Sequence, residues 1–267
     1  MYNIYIKKGV NMRFQVLSSG SKGNLTYIET DNTNILLDAG ISKKEIVERS
    51  DIDLSKIDAI FITHEHVDHV KYLEQLARFT GAPIYISELS FKKLYPKYIK
   101  TLDGLKVKFI EANKQIKIND LTVLSLNLQH DSDCCYGYIF VSNGKSLAYC
   151  TDTGFIPLPY IDILKKVDGL IIEANHDVEM LMNSARPWYL KNRILSIHGH
   201  MSNQICGEIL NKIISAKKVK VVVLAHLSEE CNTEELAMDT VIENIDSTYL
   251  PEFFIAKQHS ALQIIEV

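Results

Sequence analysis

Apolar residues along this chain fall mostly in short β-branched runs separated by stretches of helical period, an alternation that predicts α/β layers. A first clear strand opens at Phe14, and further strands are expected over 34–37, 59–63, 121–128, 136–142, 145–150, 169–172 and 219–224. Amphipathic stretches at 70–80, 161–166, 204–215 and 233–243 read as helices. The first is closed by Gly81 and Pro83, and the last is opened by Asn232 as cap, with Glu234 and Glu235 in its first turn. Asn143-Gly144, between 136–142 and 145–150, is a two-residue hairpin signal. Polar clusters close two of the early strands: Asp38-Ala39-Gly40 after 34–37, and His64-Glu65-His66 after 59–63.

At 267 residues the chain can bury a large core without disulfides, and no repeat or Pro-, Gly- or Ser-rich linker divides it. One domain over 12–267 is therefore expected, with 1–11 as an N-terminal extension or a strand extension. A composition of 46% hydrophobic and 23% charged residues excludes a disordered or fibrous chain. Apolar runs stay far below the ~20 residues of a membrane-spanning helix. The N-terminus lacks the order of a secretory signal, and the five cysteines contain no CxxC pair. These features place the chain in a reducing cytoplasm, away from membranes, with no obligate protein partner visible. A net charge of −4 argues against a nucleic-acid-coated protein yet leaves room for a local basic surface.

The densest chemistry is His64-Glu65-His66-Val67-Asp68-His69, four ligand-type side chains within six positions at a strand end. Imidazole and carboxylate suit Zn²⁺, Mn²⁺ or Fe, and ligands at i, i+2, i+4 and i+5 can address two neighbouring ions. Lone candidates follow other strands: Asp38 in LLDAG, His130 in LNLQHD, Asp152 in YCTDTG and His226 in VLAHLS. Taken singly, each also reads as a turn cap or a satisfied strand-end residue.

Together these residues resemble the metallo-β-lactamase fold superfamily, whose HxHxDH motif is matched in full and whose other motifs occur in the same order. The resemblance implies an αββα four-layer sandwich holding two divalent ions. It places His64, His66 and His130 on one ion, Asp68, His69 and His226 on the other, Asp152 as the bridge, and Asp38 as a carboxylate behind the ligand loop. SSGSKGN at 18–24, EANHD at 173–177, GHMSNQ at 199–204 and AHLSEECN at 225–232 further resemble the WalJ/YycJ/VicX family. That similarity runs from Met12 to about the C-terminus, and it implies a 5′ to 3′ exonuclease acting on double-stranded DNA. Glu173 and His200 are also similar in placement to a proton-handling Glu-His pair of ribonuclease Z. Asp68, Glu173 and His200 are accordingly the expected catalytic residues, His200 giving a proton to the leaving oxygen while Glu173 holds it.

The expected activity is thus a dinuclear-metal phosphodiesterase on nucleic acid; a carbonyl-ester, thioester or lactone hydrolase is the alternative that the same ligands support. Cys134 and Cys135, next to His130, read as structural rather than catalytic. Two surfaces are candidates for substrate. Ser19, Ser21 and Asn24 lie in a glycine-bearing loop that reads either as a phosphate cradle or as a plain hairpin turn. Lys92, Lys93, Lys106 and Lys108 belong to a lysine-rich stretch, 91–117, with Tyr95 and Tyr98 interleaved. It reads either as a solvated helix and hairpin or as a surface that tracks a DNA backbone, with Arg186, Lys191 and Arg193 as the next place to look.

Overall fold

The β-branched runs gather into two sheets. The computed structural model describes residues 12–267, and the segment 1–11, read above as an extension, lies outside them. Among the described residues the strands are β1 (Arg13–Ser18), β2 (Leu25–Glu29), β3 (Asn34–Leu37), β4 (Ala59–Phe61), β5 (Ile84–Ile86), β6 (Val107–Phe109), β7 (Gln115–Ile118), β8 (Leu121–Leu128), β9 (Cys135–Ser142), β10 (Lys145–Cys150), β11 (Gly169–Glu173), β12 (Val221–Ala225), β13 (Glu252–Ile255) and β14 (Ile265–Glu266). The helices are α1 (Lys43–Arg49), α2 (Val67–Val70), α3 (Leu73–Thr80), α4 (Glu88–Leu94), α5 (Leu158–Leu164), α6 (Val178–Asn183), α7 (Trp188–Leu195), α8 (Asn203–Ile214) and α9 (Glu234–Glu243).

The first sheet has the order β14-β1-β2-β3-β4-β5-β6 and the second β13-β12-β11-β10-β9-β8-β7. Each is half antiparallel and half parallel: β3 to β6 run parallel in one, β10 to β13 in the other. Side-chain alternation along the parallel strands explains the layering. In β12, Val221, Val223 and Ala225 face the other sheet, while Val222 and Leu224 face helices. In β4, Ala59 and Phe61 point between the sheets and Ile60 points outward. Phe61, Tyr138 and Phe140 fill the middle layer, Phe61 stacking on Tyr85 at 4.7 Å. Leu73, Leu76 and Leu94 cover the first sheet, whereas Leu164, Leu210 and Val241 cover the second. The result is the helix-sheet-sheet-helix sandwich expected from the sequence. Removing a ring such as that of Phe61 would cost about 3–5 kcal/mol.

Local differences from the sequence reading have physical causes. The helix expected over 70–80 is two helices, because the chain leaves helical geometry at Tyr72. There Tyr72 N–H donates to Ala39 O and Ala39 N–H to His69 O, so the break ties the ligand loop to the turn after β3. Thr233, not Asn232, caps α9, its hydroxyl accepting from Leu236 N; the Asn232 amide donates instead to Ala174 O and Asn203 Oδ1. Residues 107–118 are no hairpin, since β6 and β7 are edges of different sheets. Asn143 and Gly144 do form the tight turn, both with positive φ. Among the described residues no helix is long and apolar enough to cross a membrane.

Candidate metal centre

Asp38, His64, Asp152 and His226 follow β3, β4, β10 and β12, and Glu173 ends β11, so the parallel halves of both sheets deliver them at their C-terminal ends. His130 follows β8, which runs in the same direction as β10. Three of these residues, Asp38 (φ 63°), Asp152 (φ 57°) and His226 (φ 57°), have left-handed backbone, uncommon for residues other than glycine and concentrated at functional sites. The sharp turn takes each side chain off the line of its strand, and all three are buried. Second-sheet groups bind the ligand loop in place: Tyr138 OH donates to Ile62 O at 2.7 Å and Tyr136 N–H to Thr63 O at 3.0 Å.

The donor atoms converge. Those of His64, His66 and His130 form one group within 4.8 Å, as do those of Asp68, His69 and His226, while Asp152 joins His64 and His69 in one such group and His200, His226 and Glu173 in another. Asp152 stands between the sets, 3.4 Å from His69 Nε2, 3.4 Å from His226 Nε2 and 3.9 Å from His130 Nε2. His69 Nε2 is 3.4 Å and His226 Nε2 3.7 Å from Asp68 Oδ2. Four donors arranged tetrahedrally at zinc-ligand distances stand about 3.4 Å apart, so these edges have the length a small cation requires. His64 Nε2 and His226 Nε2 are, moreover, buried without a hydrogen-bond partner. Orphaned polar atoms cost about 1–3 kcal/mol each, which coordination would offset. The residues fit divalent cations.

Outer partners set which nitrogen faces inward. Asp38 accepts from Thr63 N–H at 2.9 Å and lies 2.8 Å from His69 Nδ1; Glu173 Oε1 lies 3.0 Å from His226 Nδ1 and 2.7 Å from His200 Nδ1. An ionised carboxylate can only accept, so Nδ1 carries a proton in all three rings, and in His69 and His226 Nε2 presents its lone pair to the centre. Gly199 O does the same for His130, 3.3 Å from Nδ1. Glu173, fully buried, takes Thr153 N–H and Met201 N–H on its other oxygen.

The field favours positive charge. Burial opposes a proton on His69, but Asp38, Asp152 and Asp68 outweigh it and push the group well above its usual range; Asp152, Asp68 and Glu173 do so for His226. His64, deep among other histidines, is pushed well down by burial. Burial also works against a charged His200, and the adjoining Glu173 reverses this and raises it. Burial would raise Glu173 itself, yet His200 and His226 hold it below the ordinary carboxylate range.

The loop at 18–24 is tied closely to its surroundings. The N–H groups of residues 19, 20, 22, 23 and 24 go to Lys257 O, Asn24 Oδ1, Gln258 Oε1, Gly20 O and Asp68 O, which leaves none of them for an anion. Ser19 turns inward to accept from His226 N–H at 2.8 Å, and Asn24 is buried with its amide against Asp68 Oδ2 and His69 Nε2. Only Ser21 of the three expected there faces the open cleft.

The lysines likewise do not share one surface. Lys93 bridges Asp133 and Glu65, whose carboxylate also takes Ser90 OH and thereby braces the ligand loop. Lys92 pairs with Glu88 on its own helix. Lys106 precedes β6 and reaches Gly81 O, at the opposite end of the parallel strands from His64, and Lys108 sits against the Tyr85 hydroxyl. Cys135 is buried with its thiol 3.6 Å from Asp152 O, a packing role.

Sequence reasoning gave no role to Asp131, which lies 3.2 Å from His130 Nε2 and pairs with Arg193, or to Asn175, whose amide donates to His226 O at 2.7 Å. Both adjoin a candidate ligand in sequence or space, and the acid next to His130 was the available signal. A cleft of about 170 Å³ opens over His200 and His226, lined by Ser21, Leu227 and Ser228 together with Arg186, Leu190, Arg193 and Ile194.

Comparison with known proteins agrees with this geometry. Residues 33–227 match the family described as Beta-lactamase superfamily domain. The chain is 36% identical over 243 residues to exodeoxyribonuclease WalJ of Streptococcus pneumoniae serotype 2, an alignment covering 88% of this chain and 89% of that one. It is 34% identical over 241 residues to exodeoxyribonuclease YycJ of Bacillus anthracis, covering 89% and 90%. The solved metallo-beta-lactamase fold protein YhfI from Bacillus subtilis superposes with a TM-score of 0.74 at 17% identity, covering 95% of this chain and 99% of that one, a likeness of fold.

Proposed function

The chain belongs to the β-lactamase superfamily and, within it, to the WalJ/YycJ family of metal-dependent hydrolases, and from that premise we propose that it is a dinuclear phosphodiesterase that degrades double-stranded DNA from the 5′ end. The observation that carries the reading is the pair of His/Asp donor sets meeting at Asp152 beside the His200–Glu173 pair. In this reading His64, His66 and His130 hold one cation, Asp68, His69 and His226 the other, and Asp152 both. Zn, Mn and Fe all suit the donor set. When bound, the cations supply an activated water and neutralise the phosphate.

The chain's own groups do the rest. Asp38, Gly199 O and Glu173 hold His69, His130 and His226 at fixed angles, so the donors need no reorganisation as charge develops. Glu173 at Nδ1 favours the doubly protonated ring of His200, a cleft residue, and the Nε2 proton passes to the departing oxygen while Glu173 keeps the one on Nδ1. Strand polarity and preference for a duplex are carried over from the resemblance to the WalJ/YycJ/VicX proteins, and a cytoplasmic setting accords with a DNA substrate.

Metal-reconstituted protein incubated with duplex DNA labelled at either end, single strands and RNA should release the label fastest from the 5′ end of the duplex. Turnover confined to lactones, thioesters or other carbonyl esters would replace this reading with the alternative hydrolase.

A further inference from the structure

No lysine of the 91–117 segment lines the cleft over His200 and His226, and Lys106 lies at the far end of the strands. The cleft has other basic residues. Helix α7 contributes Leu190, Arg193 and Ile194 to it, and Arg186 stands just before the helix. Lys191 is excluded, because its ammonium is turned inward to Met182 O at 2.6 Å.

Tyr189 lies one turn before Arg193, on the neighbouring position of the helix surface, and is 73% exposed. Its ring is open to solvent and adjoins Arg193, a residue of the cleft. The chemistry of a ligand there follows from what stands beside it. Arg186 is held only by a surface pair with Glu230, worth at most about 1 kcal/mol, so a phosphate can take its place. Arg193 pairs with Asp131, which also adjoins His130, so the guanidinium sits at the edge of the metal centre. Two arginines and a free ring, spaced along the mouth of a cleft that contains His200, match an anionic backbone with a base attached.

We propose that the Arg186–Arg193 edge of α7 is the platform on which the nucleic-acid strand lies: Arg193 and Arg186 take the phosphates next to the scissile one, and Tyr189 stacks on the terminal base. The inference rests on the nuclease reading and assigns it a strand-binding surface. Stacking on a protein ring tolerates any base, which suits an enzyme that must advance along arbitrary sequence. Opposite charge at the mouth also steepens the salt dependence of binding.

The test compares Tyr189→Ala, Tyr189→Phe, Arg186→Gln and Trp188→Ala on metal-loaded full-length protein. Trp188 is 61% exposed on the same helix but about 140° around it from Arg193, so it reports general loss of surface apolarity. Tyr189→Ala should raise KM for duplex DNA about tenfold, with a much smaller change in kcat/KM for bis-p-nitrophenyl phosphate, and Tyr189→Phe should restore it. Arg186→Gln should raise KM and flatten its dependence on salt. Trp188→Ala should leave KM for DNA as it is. Wild-type DNA degradation together with an unchanged KM in Tyr189→Ala, or an equal loss in Trp188→Ala, overturns this platform alone. A wild-type protein that cleaves no nucleic acid overturns it together with the nuclease reading.

Discussion

Replacing Gly40 by alanine should unseat the ligand loop. A Cβ there would stand 1.8 Å from Asp68 O and 2.4 Å from Asn24 N, against the 3.4 Å at which ordinary contact begins. The obstructing atoms are backbone and cannot rotate aside. They are also tied: Asn24 N–H donates to Asp68 O at 2.8 Å, Gly40 N–H to Asn24 O at 2.9 Å and Ala39 N–H to His69 O at 2.7 Å. Relieving the overlap means moving one loop by more than an ångström, which breaks at least the first of these bonds. Overpacking costs ~1–3 kcal/mol and a buried group left unpaired ~1–3 kcal/mol, so a loss of about 3–5 kcal/mol is expected. For a chain of this size that is a fall in Tm on the order of 10 °C. Asp68 and His69 travel with their backbone, so bound metal should drop toward one equivalent. Gly81→Ala is the control, because Gly81 has φ 67° but nothing within 4 Å of a Cβ, and it should lose only about 1 kcal/mol. Calorimetry with elemental analysis reads both quantities; a Gly40→Ala protein with wild-type Tm and undiminished metal would falsify the close-approach argument.

Other outcomes are equally accessible. Protein purified without chelator should carry more than one equivalent of transition metal, and His226→Ala or Asp68→Ala should lose one ion with most of the activity, whereas full activity at one equivalent or less would end the dinuclear reading. His200→Ala should lower turnover at least a hundredfold with metal retained, Glu173→Gln doing so more weakly, and a substrate with a thio leaving group should recover part of the rate; loss of metal from His200→Ala would make it a ligand instead. His176 is buried with both ring nitrogens unpartnered, and burial pushes it down to about 4. Its folded value lies below the ~6.5 of the unfolded chain, so the associated stability is present above pH 6.5 and is lost as pH falls toward 4, by about 3 kcal/mol in all. His176→Phe should flatten that part of the pH–stability curve, and an unchanged slope would contradict the assignment. Chelation should lower Tm in proportion to the logarithm of free metal, since cations bind the assembled site alone.

The alternation of apolar runs made the layers readable, because strands buried on both faces leave β-branched blocks that few other structures need. His64 to His69 stood out as four ligand-type side chains within six positions, whereas His130, Asp152 and His226, each also readable as a cap or a satisfied strand-end residue, were drawn in by the resemblance to the metallo-β-lactamase superfamily. What could not be read depends on contacts between distant segments. That β6 and β7 part into different sheets is decided by pairing with β5 and β8, and strands of three and four residues carry too little pattern to announce it. The split between α2 and α3 answers to hydrogen bonds from the turn after β3. The glycines of 18–24 read either as a cradle or as a turn, and the groups that take the loop's N–H donors include Lys257 O, Gln258 Oε1 and Asp68 O, all from distant segments. A lysine's sequence neighbours likewise do not reveal whether an acid such as Glu65 or Asp133 will meet it.

The left-handed backbone at Asp38, Asp152 and His226 sets heat resistance against turnover at the same three positions. Such a conformation costs a residue with a Cβ up to roughly 1–2 kcal/mol, least for aspartate and asparagine, and glycine avoids it. A library screened for thermal survival in the absence of metal should therefore drift toward glycine there, most of all at His226, enriching proteins that hydrolyse nothing. Screening for activity at raised temperature would hold the three side chains and push stabilising changes outward, to the helical layers that touch neither donor set.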